Sequence, residues 1–311
     1  MRNGKTRMKK KDGISIVIPT VGRLSLVECI NSIHLDPTLG THEVLVVTYD
    51  FLDDSIIKLL DRYECIKYIK VKKKNVSFSR NVGITSSNLK IISFIDDDDI
   101  WLPHRSNALE ENLSNESNLV VFGSARIKQS DNDIELLISQ NKNFNINDFI
   151  SNFSRNIYSF QAFFLQVGNC ALLNQKNIPK FREELGYLED QIWIFELLLN
   201  NWKVVQTKTV TLLYHFSRGR SNLRWKIETE IKIIEILEML MPGVGKKYLE
   251  NVSLKSIAIS GNYLHFINSK NKLEAKYKFS LVGRMKIYQL GLLCIAINIL
   301  SLSKVRFRKD K

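Results

Sequence analysis

The chain has 311 residues, of which 44% are hydrophobic and 25% charged, with a net charge of +13. That composition excludes a disordered or fibrous chain and allows one large core, or a domain of roughly 200 residues with a smaller appendage. Residues 1–12 carry Arg2, Lys5, Arg7, Lys9, Lys10 and Lys11 against Asp12, and residues 281–311 carry seven basic residues against Asp310. The body between is nearly neutral, which argues against a nucleic-acid partner and leaves two basic ends suited to an anionic surface.

Cys29, Cys65, Cys170 and Cys294 show no CxxC spacing and read as small buried hydrophobes in a reducing compartment. The apolar run behind the basic N-terminus, residues 14–18, is too short for a signal-peptide core, so a cytoplasmic location is expected.

In chain order, residues 14–18 predict a β-branched strand ending at Pro19, and 24–33 a helix. Strands follow at 43–47, 65–71 and 90–95, with helices at 55–60 and 77–86 between them. This alternation predicts an α/β fold with a mostly parallel, Rossmann-like sheet, in which ligands bind beyond the carboxyl ends of the strands. A further strand is expected at 119–122, an excursion over the active site at 129–159, and a helix at 225–241 stopped by Pro242 and Gly243.

Residues 96–99 are four consecutive aspartates placed directly after the strand at 90–95. Four adjacent carboxylates repel one another, and a hard divalent cation, Mn²⁺ or Mg²⁺, relieves that repulsion. The bland alternative is a solvated acidic turn. An EF-hand is excluded by spacing, because counting from Asp96 the sixth position is Trp101 and the twelfth Asn107.

Three motifs in order resemble glycosyltransferase family 2, which has the GT-A fold: residues 14–23, Arg80-Asn81-Val82-Gly83, and residues 94–103. The resemblance spans about residues 13–222. It implies a GT-A catalytic domain there, behind a basic tail at 1–12 and ahead of a helical C-terminal region at 223–311. It implies an inverting, metal-dependent transferase that moves a sugar from a nucleotide diphosphate, a UDP-sugar, to a hydroxyl of a saccharide acceptor. Pro19, Thr20 and Arg23 then belong to the donor loop, and Arg80 and Asn81 to the donor site. Asp98 becomes the direct metal ligand and Asp96 a metal or ribose contact, with Asp97 or Asp99 sharing either role. Where the family carries an acidic pair after the second strand, this chain has Thr48-Tyr49-Asp50, so either Asp50 is shifted into that role or Tyr49 stacks on the base.

Glu189 and Asp190 precede the apolar helical stretch 192–199 and read either as helix-dipole caps or, by the resemblance, as the pair whose Asp is the catalytic base, with Glu189 orienting it or binding the acceptor. His215, expected just after the next strand, is a candidate ligand of the metal, and Arg218 and Arg220 candidate phosphate clamps in a lid.

Residues 287–303 are mostly apolar, with Gly291, Cys294, Asn298 and Ser301 on one helical face and basic flanks on both sides. The run suits an interfacial membrane helix, a core helix or a short span. Bacterial members of the resembled family often extend lipid-linked saccharides of surface polysaccharides at the inner face of the cytoplasmic membrane, and the basic ends fit that location. Rival readings are a sugar-nucleotide pyrophosphorylase, for which the loop at 19–23 holds one glycine only, a glycoside hydrolase, and an inactive family member serving as a binding subunit.

Overall fold

In a computed structural model of the chain, the structure describes residues 10–113, 116–129, 132–138, 142–148, 150, 165–185, 188–216, 227–249 and 271. The first part of the chain alternates as expected: β1 (Lys11–Thr20), α1 (Ser25–His34), β2 (His42–Thr48), α2 (Asp54–Leu60), β3 (Ile66–Lys70), α3 (Val76–Ser86) and β4 (Leu89–Phe94). Local chemistry sets the boundaries. Asp53 accepts from Ser55 N to start α2, and Asn75 accepts from Phe78 N to start α3. Gly13 has φ +125°, and a Cβ there would lie 2.3 Å from Thr41 O, so only glycine lets β1 pass the chain entering β2.

The described residues form a ten-stranded sheet in the order β3-β2-β1-β4-β9-β6-β10-β5, completed by β5 (Ile100–Trp101), β6 (Leu119–Gln129), β9 (Cys170–Leu173) and β10 (Lys203–Phe216). β1 pairs parallel with β2 and β4, β2 with β3, and β6 with β10, while β9 runs antiparallel between β4 and β6. Chain order reverses direction across the sheet between β1 and β4. Their carboxyl ends, at Thr20 and Phe94, therefore flank the crevice where open α/β sheets hold ligands. Isoleucine and valine from β1, β2 and β4 fill the core together with Leu26, Cys29, Ile30 and Ile33 of α1.

Helix α4 (Arg105–Glu110) follows the acidic run, and α5 (Glu189–Leu199) follows β9. The segment expected to form an excursion is in part sheet instead. β7 (Asn132–Ile138) pairs antiparallel with β6, and β8 (Asn143–Phe144) with β10, so the backbone groups of these stretches are satisfied by ladder bonds. The Asn- and Ser-rich composition of the region masks these strands, and residues 151–159 of the expected excursion lie outside the described residues.

The chain divides into two compact units, Met1–Ile146 with Phe164–Arg220, and Asn147–Phe163 with Ser221–Lys311. In the second, α6 (Ile227–Leu240) buries Ile233, Ile234 and Leu237, and α7 (Val244–Tyr248) buries Val244 and Tyr248. Glu238 joins the two helices by accepting from Gly243 N and Lys246 N. Among the described residues no helix is long and apolar enough to cross a membrane. The candidate membrane helix at 287–303, Arg218 and Arg220 lie outside the described residues.

Candidate functional site

The four aspartates lie at the carboxyl end of β4, and the protein itself answers their mutual repulsion by giving each a different environment. Asp96 keeps 31% of its side-chain surface and takes Arg80 Nη2 at 2.9 Å. Asp97 is buried, accepts from Thr20 Oγ1, and shares Arg23 Nη1 with Asp98 at 3.1 and 3.0 Å. Burial pushes the Asp97 carboxyl up, against the pull of Thr20 and Arg23. Asp99 is fully buried, and neither of its carboxylate oxygens meets a donor at hydrogen-bonding geometry. Burial, then the charge of Asp96, pushes its pKa well above the usual carboxylate range, with the His215 backbone and the charge of Arg105 opposing.

Arg105 lies behind the run, fully buried, donating from Nη2 to Phe94 O at 2.7 Å and Gly168 O at 3.0 Å, with its guanidinium 4.1 Å over the Trp101 ring. Sequence reasoning passed over Arg105. Its only signal was position, since a charged residue two places after Pro103 looks like ordinary helix surface. Asp36, also passed over, accepts from Trp101 Nε1, His104 N, Ser106 N and Ser106 Oγ, and so ties the segment after the acidic run to the end of α1. Burial pushes its carboxyl up, but the bonds from Ser106, Trp101 and Thr38 outweigh that and hold it well below the usual range.

Arg80 lies in the second turn of α3. Its side chain is 5% exposed and reaches across to a second acidic group, with Nη1 3.1 Å from Glu189 Oε1. Burial disfavours its charge, but Asp96, Glu189 and Asp190 together raise its pKa and keep it cationic. The motif glycine three residues on, Gly83, has its own cause. A Cβ there would meet Val17 Cγ1 at 2.2 Å, so glycine lets α3 press onto β1 and fixes where Arg80 starts. Asn81, expected at the donor, clasps the backbone of Phe181 instead, donating to its O at 2.9 Å and accepting from its N at 2.8 Å. Phe181 stacks on Trp193 of α5 at 4.5 Å and meets Phe94 of β4 edge-on. This aromatic stack seats α5 against the sheet.

Glu189 and Asp190 open α5, behind Leu188, whose φ of 58° is left-handed. His104, just beyond the acidic run, has φ 65°. Left-handed conformations cost a non-glycine residue about 1–2 kcal/mol, and here they sit beside both acidic groups. Asp190 retains some exposed surface yet is surrounded by dense protein. Burial and the neighbouring Glu189 push its pKa up to about 7, with Arg80 opposing. Its Oδ1 accepts from Gln191 N, so the dipole-capping reading holds in part.

His215 was expected beyond a strand but lies inside β10, because β10 continues to Phe216 alongside β6. Its Nδ1 is 3.1 Å from Asp98 O. A carbonyl oxygen only accepts, so Nδ1 carries a proton and donates it, which anchors the ring to the acidic run. Gly168 faces the run from the other side, where a Cβ would lie 3.2 Å from Asp96 Oδ2. Pro19 and Thr20 end β1. At the end of β2, Asp50 turns its carboxylate onto Phe51 N, while the exposed rings of Tyr49 and Phe51 stand beside it with Lys70 Nζ over Phe51.

The acidic run, its arginine link to Glu189, and the β1 and β2 ends thus meet at the crevice of the sheet, as a nucleotide-diphosphate site requires. The glycosyl transferase family 2 model matches residues 15–181, more than half of the chain. The chain belongs to glycosyl transferase family 2.

The family 2 chain is 28% identical over 131 residues to an uncharacterized glycosyltransferase of Rickettsia bellii (strain RML369-C), a match that covers 41% of this chain and 19% of that protein. It superposes on the crystal structure of S. aureus TarS with a TM-score of 0.53 at 15% identity, covering 86% of this chain and 55% of TarS. Against TarS 1-349 in complex with UDP-GlcNAc the TM-score is 0.56 at 15% identity, with 89% and 79% covered. The fold is GT-A: a mostly parallel α/β sheet with its ligand crevice between β1 and β4.

Proposed function

We propose that this chain is an inverting, metal-dependent glycosyltransferase that moves a sugar from a nucleotide diphosphate, a UDP-sugar, to a hydroxyl of a saccharide acceptor. The observation that carries the reading is the single guanidinium of Arg80 between Asp96 and Glu189, which couples a diphosphate-end acid to a pair fit for proton transfer. The UDP-GlcNAc bound to TarS 1-349 supports the donor class. Tyr49 and Phe51 supply ring faces for the base at the end of β2.

Asp190 is the base. A carboxyl with a pKa of about 7 is half ionised near neutrality and takes the acceptor proton as the hydroxyl oxygen attacks the anomeric carbon opposite the leaving diphosphate. Glu189, held by Arg80, fixes the first turn of α5 and so the position of Asp190. Asp98, with Asp96 or Asp99 and Nε2 of His215, offers the oxygen and imidazole donors that Mn²⁺ or Mg²⁺ takes. The unpartnered oxygens of Asp99 and the anchoring of the His215 ring at Asp98 O support that fit. When bound, the ion neutralises charge developing on the diphosphate. Arg23, 46% exposed and bridging Asp97 and Asp98, is free at its solvent side to turn onto donor phosphates.

The acceptor is proposed to be lipid-linked and the reaction to belong to surface polysaccharide synthesis at the inner face of the cytoplasmic membrane, a reading supported by the basic residues at both ends of the sequence. A thermal-shift screen of nucleotide sugars with and without Mn²⁺ tests the donor, since a ligand of the folded state raises its stability. A UDP-sugar that stabilises only with metal, and is then consumed with a saccharide acceptor, is the expected result. No response to any nucleotide sugar overturns the reading.

A further inference from the structure

At the amino ends of β2 and β3, opposite the strand ends that carry the acidic run, three side chains that play no part in the donor or acceptor site converge. They are His34 in the last turn of α1, His42 at the start of β2, and Cys65 immediately before β3. Their candidate donor atoms all lie within 4.8 Å of one another, and His34 Nε2 is 3.2 Å from Cys65 Sγ.

The hydrogen bonds behind the two rings decide what the front of each can do. His34 Nδ1 is 2.9 Å from Ile30 O, and His42 Nδ1 is 2.8 Å from Gly40 O. Both partners are carbonyl oxygens, so each Nδ1 carries a proton and donates it, and each ring presents Nε2 to the cluster, that of His34 toward Cys65 Sγ. This backing of one ring nitrogen by a carbonyl is what orients a metal-binding histidine. Nε2 of His42 is buried and has no hydrogen-bond partner. A buried polar atom left without a partner is unusual and calls for a bound group or a reason.

The surroundings hold the cluster in place. The Tyr63 ring stacks on His34 with centroids 3.7 Å apart, and Asn31 Oδ1 accepts from Tyr63 Oη at 3.0 Å and Arg62 Nη2 at 2.7 Å. The loop that carries Cys65 is thereby tied to α1. We propose that His34 Nε2, His42 Nε2 and Cys65 Sγ form a zinc site, with water completing the tetrahedron. The Cys65 thiol gives its proton to solvent as the sulfur–zinc bond forms, and no oxidation is involved. Bonds of about 2.0–2.3 Å place tetrahedral ligands roughly 3.3–3.8 Å apart, within reach by side-chain rotation from the present separations.

Two imidazoles and a thiolate suit zinc and disfavour Mg²⁺ or Mn²⁺, which prefer oxygen, so this site and the acidic run select different ions. The role is a clip. Helix α1 leaves the donor loop at one end and carries Cys29, whose Sγ lies 3.5 Å from Asp96 O. Zinc at the other end fastens α1 to the starts of β2 and β3.

The test is a Co²⁺ titration of the chelator-stripped full chain followed by visible absorption, then back-titration with Zn²⁺. One equivalent should produce tetrahedral cobalt bands with a thiolate-to-cobalt charge-transfer band, which Zn²⁺ abolishes. Cys65→Ser should lose the charge-transfer band, and His42→Ala, at a half-buried position, should weaken binding by at least the roughly 10–100-fold that outer-sphere changes cost. Circular dichroism establishes that both variants are folded, and an Asp98→Asn chain should keep the band, since oxygen ligands do not give it. Absence of the band in the wild-type chain, its survival in Cys65→Ser, or unchanged affinity in folded His42→Ala would each overturn the zinc site, and none of these readouts depends on glycosyl transfer.

Discussion

Arg80 Nη2 lies 2.9 Å from Asp96 Oδ1, and the other terminal nitrogen of the same buried guanidinium serves Glu189. Removing a buried cation from between two carboxylates leaves both uncompensated, and losses of about 3–5 kcal/mol follow from breaking such arrangements. Arg80→Met should therefore lower unfolding stability by that order in urea titrations. Arg80 also opposes the rise in the pKa of Asp190, so the acidic limb of the rate profile should move to higher pH in whatever folded fraction remains. An unmoved limb would show that Arg80 and Asp190 are electrostatically independent.

The pKa of about 7 at Asp190 makes two pH predictions of opposite sign. A base must be ionised, so kcat/KM should rise with pH and level off above about 7. For stability, the unfolded carboxyl ionises near 3.8 while the folded one holds its proton to about 7. The contribution is therefore full below the unfolded pKa and is lost as pH rises through the folded one. Asp190→Asn should remove that slope, abolish turnover and leave donor affinity nearly unchanged by calorimetry. Turnover at the wild-type rate would remove Asp190 from the chemistry.

Much of this site is legible in the sequence. The run of aspartates after a β-branched strand, the Arg-Asn-x-Gly stretch and the Glu-Asp pair each announce themselves by residue type and position. What they do to one another is not legible, because it depends on distances across the fold. Asn81 read as a donor contact, yet its amide spans 100 positions to clasp Phe181. Asp36 and Arg105 gave no signal, since a lone acid at the end of a helix and a lone base after a proline are common surface features. His34, His42 and Cys65 share no motif spacing and meet only because α1 runs back to the amino ends of β2 and β3.

Asp36 accepts four bonds from the segment that follows the acidic run and two more from Thr38. Asp36→Ala orphans buried donors on Trp101 and Ser106, at about 1–3 kcal/mol each. The expected loss is about 3–5 kcal/mol in denaturant unfolding. The pH signature is opposite to that of Asp190. Because the folded carboxyl titrates below the unfolded one, its stabilisation is present above the ordinary Asp pKa and disappears as pH falls through the folded value. Wild type and Asp36→Ala should therefore converge in stability toward strong acid.

Gly168 and Gly83 separate a positioning effect from a folding effect. A Cβ at Gly83 would press into Val17 at 2.2 Å, so Gly83→Ala forces α3 off β1 and should cost about 1–3 kcal/mol of stability. A Cβ at Gly168 meets Asp96 at 3.2 Å from Oδ2 and 3.3 Å from its N, a contact that a shift of a few tenths of an ångström relieves. Gly168→Ala should therefore leave the unfolding midpoint nearly unchanged while displacing the carboxylate that Arg80 holds. Since displacements of about 1 Å in a reacting constellation can cost on the order of 100-fold, even this smaller shift should reduce kcat measurably, with KM for the acceptor little affected. Equal loss of stability in both variants would show instead that Gly168 is a packing residue and that Asp96 tolerates the movement.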